Sequence, residues 1–225
     1  MGDSLMSTPP QTIHIYHIVH VDRLASIMQD GYLYSDSVIS QRANNGSMIG
    51  ISDIKQRRLT NALNSYTDLY VGECVPFYFC PRSVMLYLIH RKNSDLVYQG
   101  GQDEIVHLQA DFHQVVTWAS FQNPALHWAF TTSNAGSYYF DDYNTIANLN
   151  QIDWNAVNAT NWIQVKEGKQ AEFLIEAHFP WHLVQKIGVV SLTMQAKVAS
   201  ILQRLRQSNN NLHCPTISVE PSWYY

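Results

Sequence analysis

Short stretches patterned like β-strands recur along this chain, and helix-like segments of unequal length separate them. The strand-like stretches are TIHIYHI (12–18), VPFYFCPRS (75–83), IVHLQA (105–110), AEFLIEAHF (171–179), KIGVVSL (186–192) and TISVE (216–220). Such a mixture, without a regular strand–helix–strand repeat, argues against a doubly wound parallel sheet and predicts an α+β domain. Helices are expected over VDRLASIMQDG, ISDIKQRRLTNAL, SVMLYLIHRK and TMQAKVASILQRLRQ. In the first, Asp22 reads as the N-cap, Leu24, Ile27 and Met28 as the buried stripe, and Gly31 as the C-cap. In the last, Met194, Val198, Ile201, Leu202 and Leu205 form one apolar stripe. With 225 residues and no repeat, the expectation is a single domain over 1–225.

Composition narrows the function classes. Hydrophobic residues make up 46% and charged residues 14% of the chain, which fits a folded globular protein. The net charge of −4 speaks against a broad basic face gripping duplex DNA. A narrow basic channel stays compatible with it, because Lys55, Arg57 and Arg58, then Arg91 and Lys92, then Arg204 and Arg206, cluster locally. Cys74, Cys80 and Cys214 have no zinc-type spacing and are odd in number, so neither a metal site nor a disulfide framework is expected. MGDSLMSTPP lacks a signal-peptide layout and no apolar run reaches transmembrane length, so a soluble, cytoplasmic protein without membrane contact is the expectation.

Glycine-rich phosphate loops, the H-E-x-x-H pattern and the G-x-S-x-G elbow are all absent from the sequence. Three weaker signals remain. His17 lies near the end of the first strand, Arg58 on a helix after the polar loop SDSVISQRANNGSMIG, and Glu172 at the start of the strand AEFLIEAHF. Taken alone, His17 reads equally as a structural histidine, Arg58 more readily as part of a solvated face, and Glu172 more readily as a surface carboxylate. Residues 131–162, rich in Asn, Asp and aromatics and without a clean period, form a long irregular segment of the kind that carries function.

The blocks IYHIVHVDRLASIMQDGYL, IGISDIKQRRL, VPFYFCPRSVMLY, YQGGQDEIVHLQA, KQAEFLIEAHFPW and the final SWYY occur in the order seen in DarT toxins. Over nearly its whole length the chain resembles these bacterial ADP-ribosyltransferases, which modify bases in single-stranded DNA. The resemblance implies an ADP-ribosyltransferase-like fold, with central mixed or antiparallel sheets flanked by helices. It implies NAD as the ADP-ribose donor, no metal, and a partner macrodomain antitoxin. Glu172 and Arg58 match the catalytic positions. His17, Ile18, Val19, Ser26, Tyr34 and Arg58 match the NAD-binding ones, with backbone contacts expected from Ser26 and Tyr34. Residues 35–58 correspond to the NAD-binding element and 127–172 to the loop that presents the substrate base. Tyr78, Arg82, Asn134 and Trp154 are the implied DNA contacts. Val19 and Asn134 stand where some relatives carry Thr and His.

The chemistry suits these roles. Breaking the nicotinamide glycosidic bond builds positive charge on the ribose, and a fixed carboxylate stabilises it. Glu172 opens its strand, whereas Glu176 lies further along and is expected to serve as a surface or ion-pair residue. A guanidinium stays protonated, so Arg58 is expected to hold phosphate or polarise the base while Glu172 takes the ring proton. A single strand exposes its bases cheaply, and Tyr138, Tyr139, Trp154 and Trp162 offer rings to hold one. The detailed similarity favours thymine over guanine as the acceptor. RNA or protein acceptors, and a non-catalytic single-strand binder, are the alternatives.

Overall fold

In the computed structural model, which describes residues 7–42 and 46–225, the strands are β1 (His14–His20), β2 (Tyr32–Tyr34), β3 (Cys74–Tyr78), β4 (Ile105–Asp111), β5 (Trp128–Thr131), β6 (Asp142–Tyr143), β7 (Glu172–Glu176), β8 (His178–Pro180), β9 (Lys186–Val189) and β10 (Thr216–Val219). The helices are α1 (Leu24–Asp30), α2 (Asp36–Ile39), α3 (Ser52–Arg58), α4 (Val84–His90), α5 (Phe112–Ser120), α6 (Trp154–Asn158), α7 (Lys166–Lys169) and α8 (Leu192–Ser208). Eight strands make one sheet in the order β10-β9-β4-β1-β3-β7-β5-β6, and β2 pairs with β8 in a second, two-stranded sheet. All the pairings are antiparallel except β9 with β10. The α+β expectation is met.

The main core lies between the sheet and its helices. Phe77, Phe112, Phe130, Phe173 and Phe179 are fully buried there. Phe173 meets Phe112 nearly edge-on at 5.2 Å, a favoured arrangement for aromatic pairs. The long helix α8 lays Met194, Val198, Ile201 and Leu202 against this core, with Leu205 at its margin, and Ser191 caps it by accepting from the Met194 N–H.

Several local expectations change. Asp22 does not cap α1. His20 accepts the Asp22 N–H in a 3-10 turn over Val21–Arg23, and the Asp22 carboxylate instead accepts from the Ser47 N–H and Oγ. Gly31 does close the helix, with φ 73°, a conformation that costs a residue without a side chain little. The expected helix over 51–63 stops at Arg58, and the backbone beyond it pairs instead with 69–71, through the Ala62–Tyr70 bridge and the Leu63 and Val71 N–H groups, which donate to Leu69 and Asn61. The stretch AEFLIEAHF is not one strand. Ala177, at φ 58°, breaks it between β7 and β8, and its N–H donates to Glu73 while its carbonyl accepts from Ser35. Leu174 is as buried as Phe173 and Ile175, so β7 has packed neighbours on both faces rather than a polar side. The polar loop after Tyr34 contains α2, and part of it, 43–45, lies outside the described residues. Residues 131–162 are not wholly irregular, since they carry β6, a 3-10 turn over Ile146–Gln151 and α6.

Candidate active site

The turn at Ala177 folds β8 back so that Tyr34 of β2 lies opposite His178. That brings β2 to the mouth of a cavity floored by β1 and β3 and walled by α3. His17, Ile18, Val19, Tyr34, Arg58 and Tyr78 all line it, so sequence positions spread over some sixty residues converge on one space. Ser26 does not join them. It is exposed on α1, where its Oγ donates to the Arg23 carbonyl. The side chain that does enter from this segment is Arg23. Sequence reasoning missed it, and its only signal is an arginine at a strand-to-helix junction.

His17 is held by its Nδ1, 2.7 Å from the Pro76 carbonyl oxygen. A carbonyl only accepts, so Nδ1 carries the hydrogen and Nε2 keeps the lone pair. Burial pushes the imidazole down to about 4, against the opposing pull of the Pro76 carbonyl, so His17 is neutral at physiological pH. Tyr78 ends β3 directly opposite Glu172 of β7. Burial first, then the Glu172 charge, raise its phenol well above the ordinary tyrosine range, and it stays a neutral hydroxyl.

Arg58 and Glu172 meet at the cavity's edge. Arg58 Nη1 lies 2.9 Å from Glu172 Oε2 and 3.1 Å from Oε1, with the two residues only 8% and 4% exposed. Burial works to lower the arginine's pKa, and the adjoining carboxylate more than offsets it, so the guanidinium is held above its ordinary value. The carboxylate also receives the Ala135 N–H at 3.3 Å, and the Glu172 N–H donates to Thr131 Oγ1. Three anchors therefore fix Glu172. Arg58 Nη2 and Arg23 Nε, both buried, have no hydrogen-bond partner among the described residues. Among the described residues the one carboxylate lining the cavity, Asp36, is already paired with Lys55 at 2.7 Å, so the unpaired buried donors suit an anionic ligand such as a diphosphate.

Asn134 sits on the same turn as Ala135. Its Oδ1 accepts the Gly136 N–H at 2.7 Å and its Nδ2 donates to Gln170. Gly136 packs against α3, where a Cβ would lie 2.7 Å from Ile54 Cγ2. Asn61, just beyond Arg58 in sequence, donates to the Ala135 carbonyl at 3.2 Å and the Ser137 carbonyl at 2.8 Å. The arginine's helix and the turn that holds the glutamate are thus stitched together. Sequence reasoning passed over Asn61, because a single asparagine carries no pattern.

Arg82 lies outside this cavity, in a cleft with Asn158, Thr160, Trp162, Lys169 and Tyr225. Its guanidinium is 4.3 Å from the Tyr225 ring centroid, and its buried Nε lacks a partner among the described residues. Trp162 Nε1 donates to the Tyr225 hydroxyl at 3.0 Å. Trp154 is a correction to the sequence reading. It is buried in the main core, packs edge-on to Phe79, and donates its Nε1 to the Leu149 carbonyl, leaving no ring face for a base. Glu176 stands apart from the site, its Oε2 2.9 Å from His127 Nδ1 and accepting the His127 N–H. Among the described residues no three His, Cys, Asp or Glu side chains gather as metal ligands.

With this geometry in place, the comparison with known proteins is direct. The family described as "ssDNA thymidine ADP-ribosyltransferase, DarT" matches residues 16–225. The chain belongs to the DarT family. A DNA ADP-ribosyl transferase of Thermus aquaticus is 37% identical over 94% of this chain and 88% of that relative. The DarT of Thermus sp. 2.9, solved in complex with ADP-ribosylated ssDNA, superposes with a TM-score of 0.83 at 32% identity, covering 97% of this chain and 99% of that one. The same Thermus DarT solved with NAD+ superposes at 0.78, with 29% identity over 97% and 100% of the two chains. The mixed eight-stranded sheet flanked by helices matches these DarT ADP-ribosyltransferase structures.

Proposed function

We propose that this DarT-family chain transfers ADP-ribose from NAD to thymine in single-stranded DNA and releases nicotinamide. The observation that carries the reading is the buried Arg58–Glu172 pair at the rim of the cavity, with Arg58 Nη2 and Arg23 Nε left without partners. As donor, NAD supplies an electrophilic ribose carbon once nicotinamide departs with the bonding electrons. The two guanidinium groups hold its diphosphate, and His17, neutral, accepts through Nε2. Glu172, tied down by Arg58 and the Ala135 N–H, opposes the positive charge that develops on the ribose. Thymine in a strand keeps a single ring N–H. As that nitrogen bonds to the ribose carbon, its proton passes to the Glu172 carboxylate, while Arg58 remains protonated and steadies the pair.

In this reading the chain is one domain. Residues 35–58 cover the dinucleotide, and 127–172 present the base through the Asn134–Gly136 turn. Arg82 and Tyr225 receive a neighbouring nucleotide by phosphate contact and stacking. Tyr78 belongs with the reacting centre, because it faces Glu172 rather than the Arg82 cleft. Among the described residues no helix is long and apolar enough to cross a membrane, and a DNA substrate supports a cytoplasmic enzyme in this reading. By family membership the chain acts as a toxin, countered by a macrodomain antitoxin that removes the mark.

The test is mass spectrometry of short oligonucleotides incubated with the protein and NAD. A gain of one ADP-ribose on single strands containing thymine, and on no thymine-free strand, duplex or RNA, is expected. Modification of guanine-only strands would change the acceptor, and label on RNA or protein alone would discard DNA as substrate.

A further inference from the structure

Tyr78 ends β3, Glu172 opens β7 and Thr131 ends β5, and these strands are antiparallel neighbours. Their three termini therefore share one edge of the sheet, with Glu172 in the middle. On the β3 side the chain runs on to Arg82, paired with the Tyr225 ring. On the β5 side it runs on through the Asn134–Gly136 turn to Tyr138 and Tyr139. There a second pairing of the same kind occurs, with the Arg57 guanidinium 4.7 Å from the Tyr138 ring centroid. Arg57 precedes Arg58 on α3. A helix turns about 100° per residue, which sends Arg58 into the buried site and Arg57 outward.

Tyr138 is 79% and Tyr139 93% exposed, yet the loop that carries them is anchored. Asn61 donates to the Ser137 carbonyl, Asn64 donates to the Phe140 carbonyl at 3.2 Å, and the buried Asp142 carboxylate accepts the Asn64 and Ser65 N–H groups at 2.7 and 2.9 Å. An open polar cleft beside the rings is bounded by Asn61, Asn64, Ser133 and Asp141. Two solvent-facing rings on a fixed backbone make a stacking surface that loses little entropy on binding. The Arg57 guanidinium supplies the charge for a phosphate, while the Asp141 carboxylate keeps the cleft itself suited to the donor edge of a base.

We propose that Tyr138 and Tyr139, with Arg57, form a second nucleotide subsite for single-stranded DNA, across the reacting centre from Arg82 and Tyr225. A strand laid along this sheet edge meets an arginine–tyrosine pair on each side of the base that enters toward Glu172. This rests on the DNA-modifying reading above and deepens it.

The experiment compares oligonucleotides with a single target thymine, extended by added nucleotides only on the 5′ side or only on the 3′ side. Transfer is followed at DNA concentrations below saturation, where the rate reports binding of the added nucleotide. Wild-type protein gains about tenfold on each side, in line with base stacking on an aromatic ring. Tyr138→Ala combined with Tyr139→Ala, and separately Arg57→Ala, abolish the gain on one side only. Arg82→Ala abolishes it on the other, and Tyr138→Phe, which keeps the ring, retains it. Both rings are exposed, so the tyrosine variants keep melting temperatures close to wild type. A gain that survives on both sides in the tyrosine variants overturns the subsite while leaving DNA transfer intact. An equal loss on short and extended strands also overturns it, because the rings would then act on the reacting centre instead. If wild-type protein labels no DNA at all, the functional reading itself falls, and the subsite falls with it.

Discussion

Replacing Glu172 by glutamine separates charge from shape at the reacting centre. Glutamine is nearly isosteric and keeps an acceptor for Arg58 Nη1 and for the Ala135 N–H, both of which now bind the carboxylate. What it removes is the negative charge beside a guanidinium that is only 8% exposed. Leaving a buried cation without its partner charge costs about 3–5 kcal/mol, and the retained acceptor holds the loss near the lower figure. For a chain of this length, 3 kcal/mol corresponds to a fall in Tm of roughly 10 °C. Loss of the fixed charge opposite the developing positive ribose is expected to lower the transfer rate on the order of a thousandfold. The assay pairs single-turnover transfer to a thymine oligonucleotide, read by mass spectrometry, with thermal melts of the same samples below the new Tm. Arg58→Ala in the Glu172→Ala background supplies the cycle, and the double variant should melt higher than the sum of the singles requires. A Glu172→Gln rate within about threefold of wild type, under about 1 kcal/mol of barrier, would refute the argument that the charge is used.

Acidification supplies another test. His107 is fully buried, its Nε2 2.9 Å from the Pro81 carbonyl, and burial pushes it down to about 4, as for His17. The unfolded chain takes up the proton near pH 6.5 while the fold refuses it, so stability is unchanged above pH 6.5 and falls between pH 6.5 and 4. The loss approaches about 3 kcal/mol per histidine, and melts at pH 7 and pH 5 of wild type and His107→Gln should show a weaker pH dependence in the variant. Trp154→Ala should cost about 3–5 kcal/mol of stability through the cavity it leaves, and a DNA affinity that drops at temperatures where the variant stays folded would contradict its core placement. Asn61→Ala removes the two hydrogen bonds from its Nδ2 to the Ala135 and Ser137 carbonyls of the Asn134–Ser137 turn. Turnover on DNA should fall about tenfold, as expected for carbonyls left without their hydrogen bonds, with KM for NAD little changed; an effect on KM for NAD alone would assign Asn61 to the cofactor side.

Much of this protein was legible from local pattern. Period-two alternation marked β1, β4 and β9, and the 3.6-residue stripe marked α8, because both depend on which face of an element is buried. The ordered blocks that resemble the DarT family carried the reading further, to His17, Arg58 and Glu172. Where side chains answer to distant partners, the sequence was silent or misleading. Trp154 reads like a ring for a base until the fold wraps Phe79 and the Leu149 carbonyl around it. Asp22 reads as a cap until Ser47 takes its carboxylate. AEFLIEAHF reads as one strand until contacts from Glu73 and Ser35 pull Ala177 out of line, which also carries Tyr34 to the cavity. Arg23 and Asn61 show no signal at all, since their roles exist only once β1, α3 and the Asn134–Ser137 turn are close in space. The sequence by itself determined the fold class, because that is written in periodicity and residue type, and its resemblance to the DarT family singled out Arg58 and Glu172. Only the tertiary structure decided which donors stay unpaired for a ligand, since hydrogen-bond satisfaction is a property of packed neighbours and not of the chain.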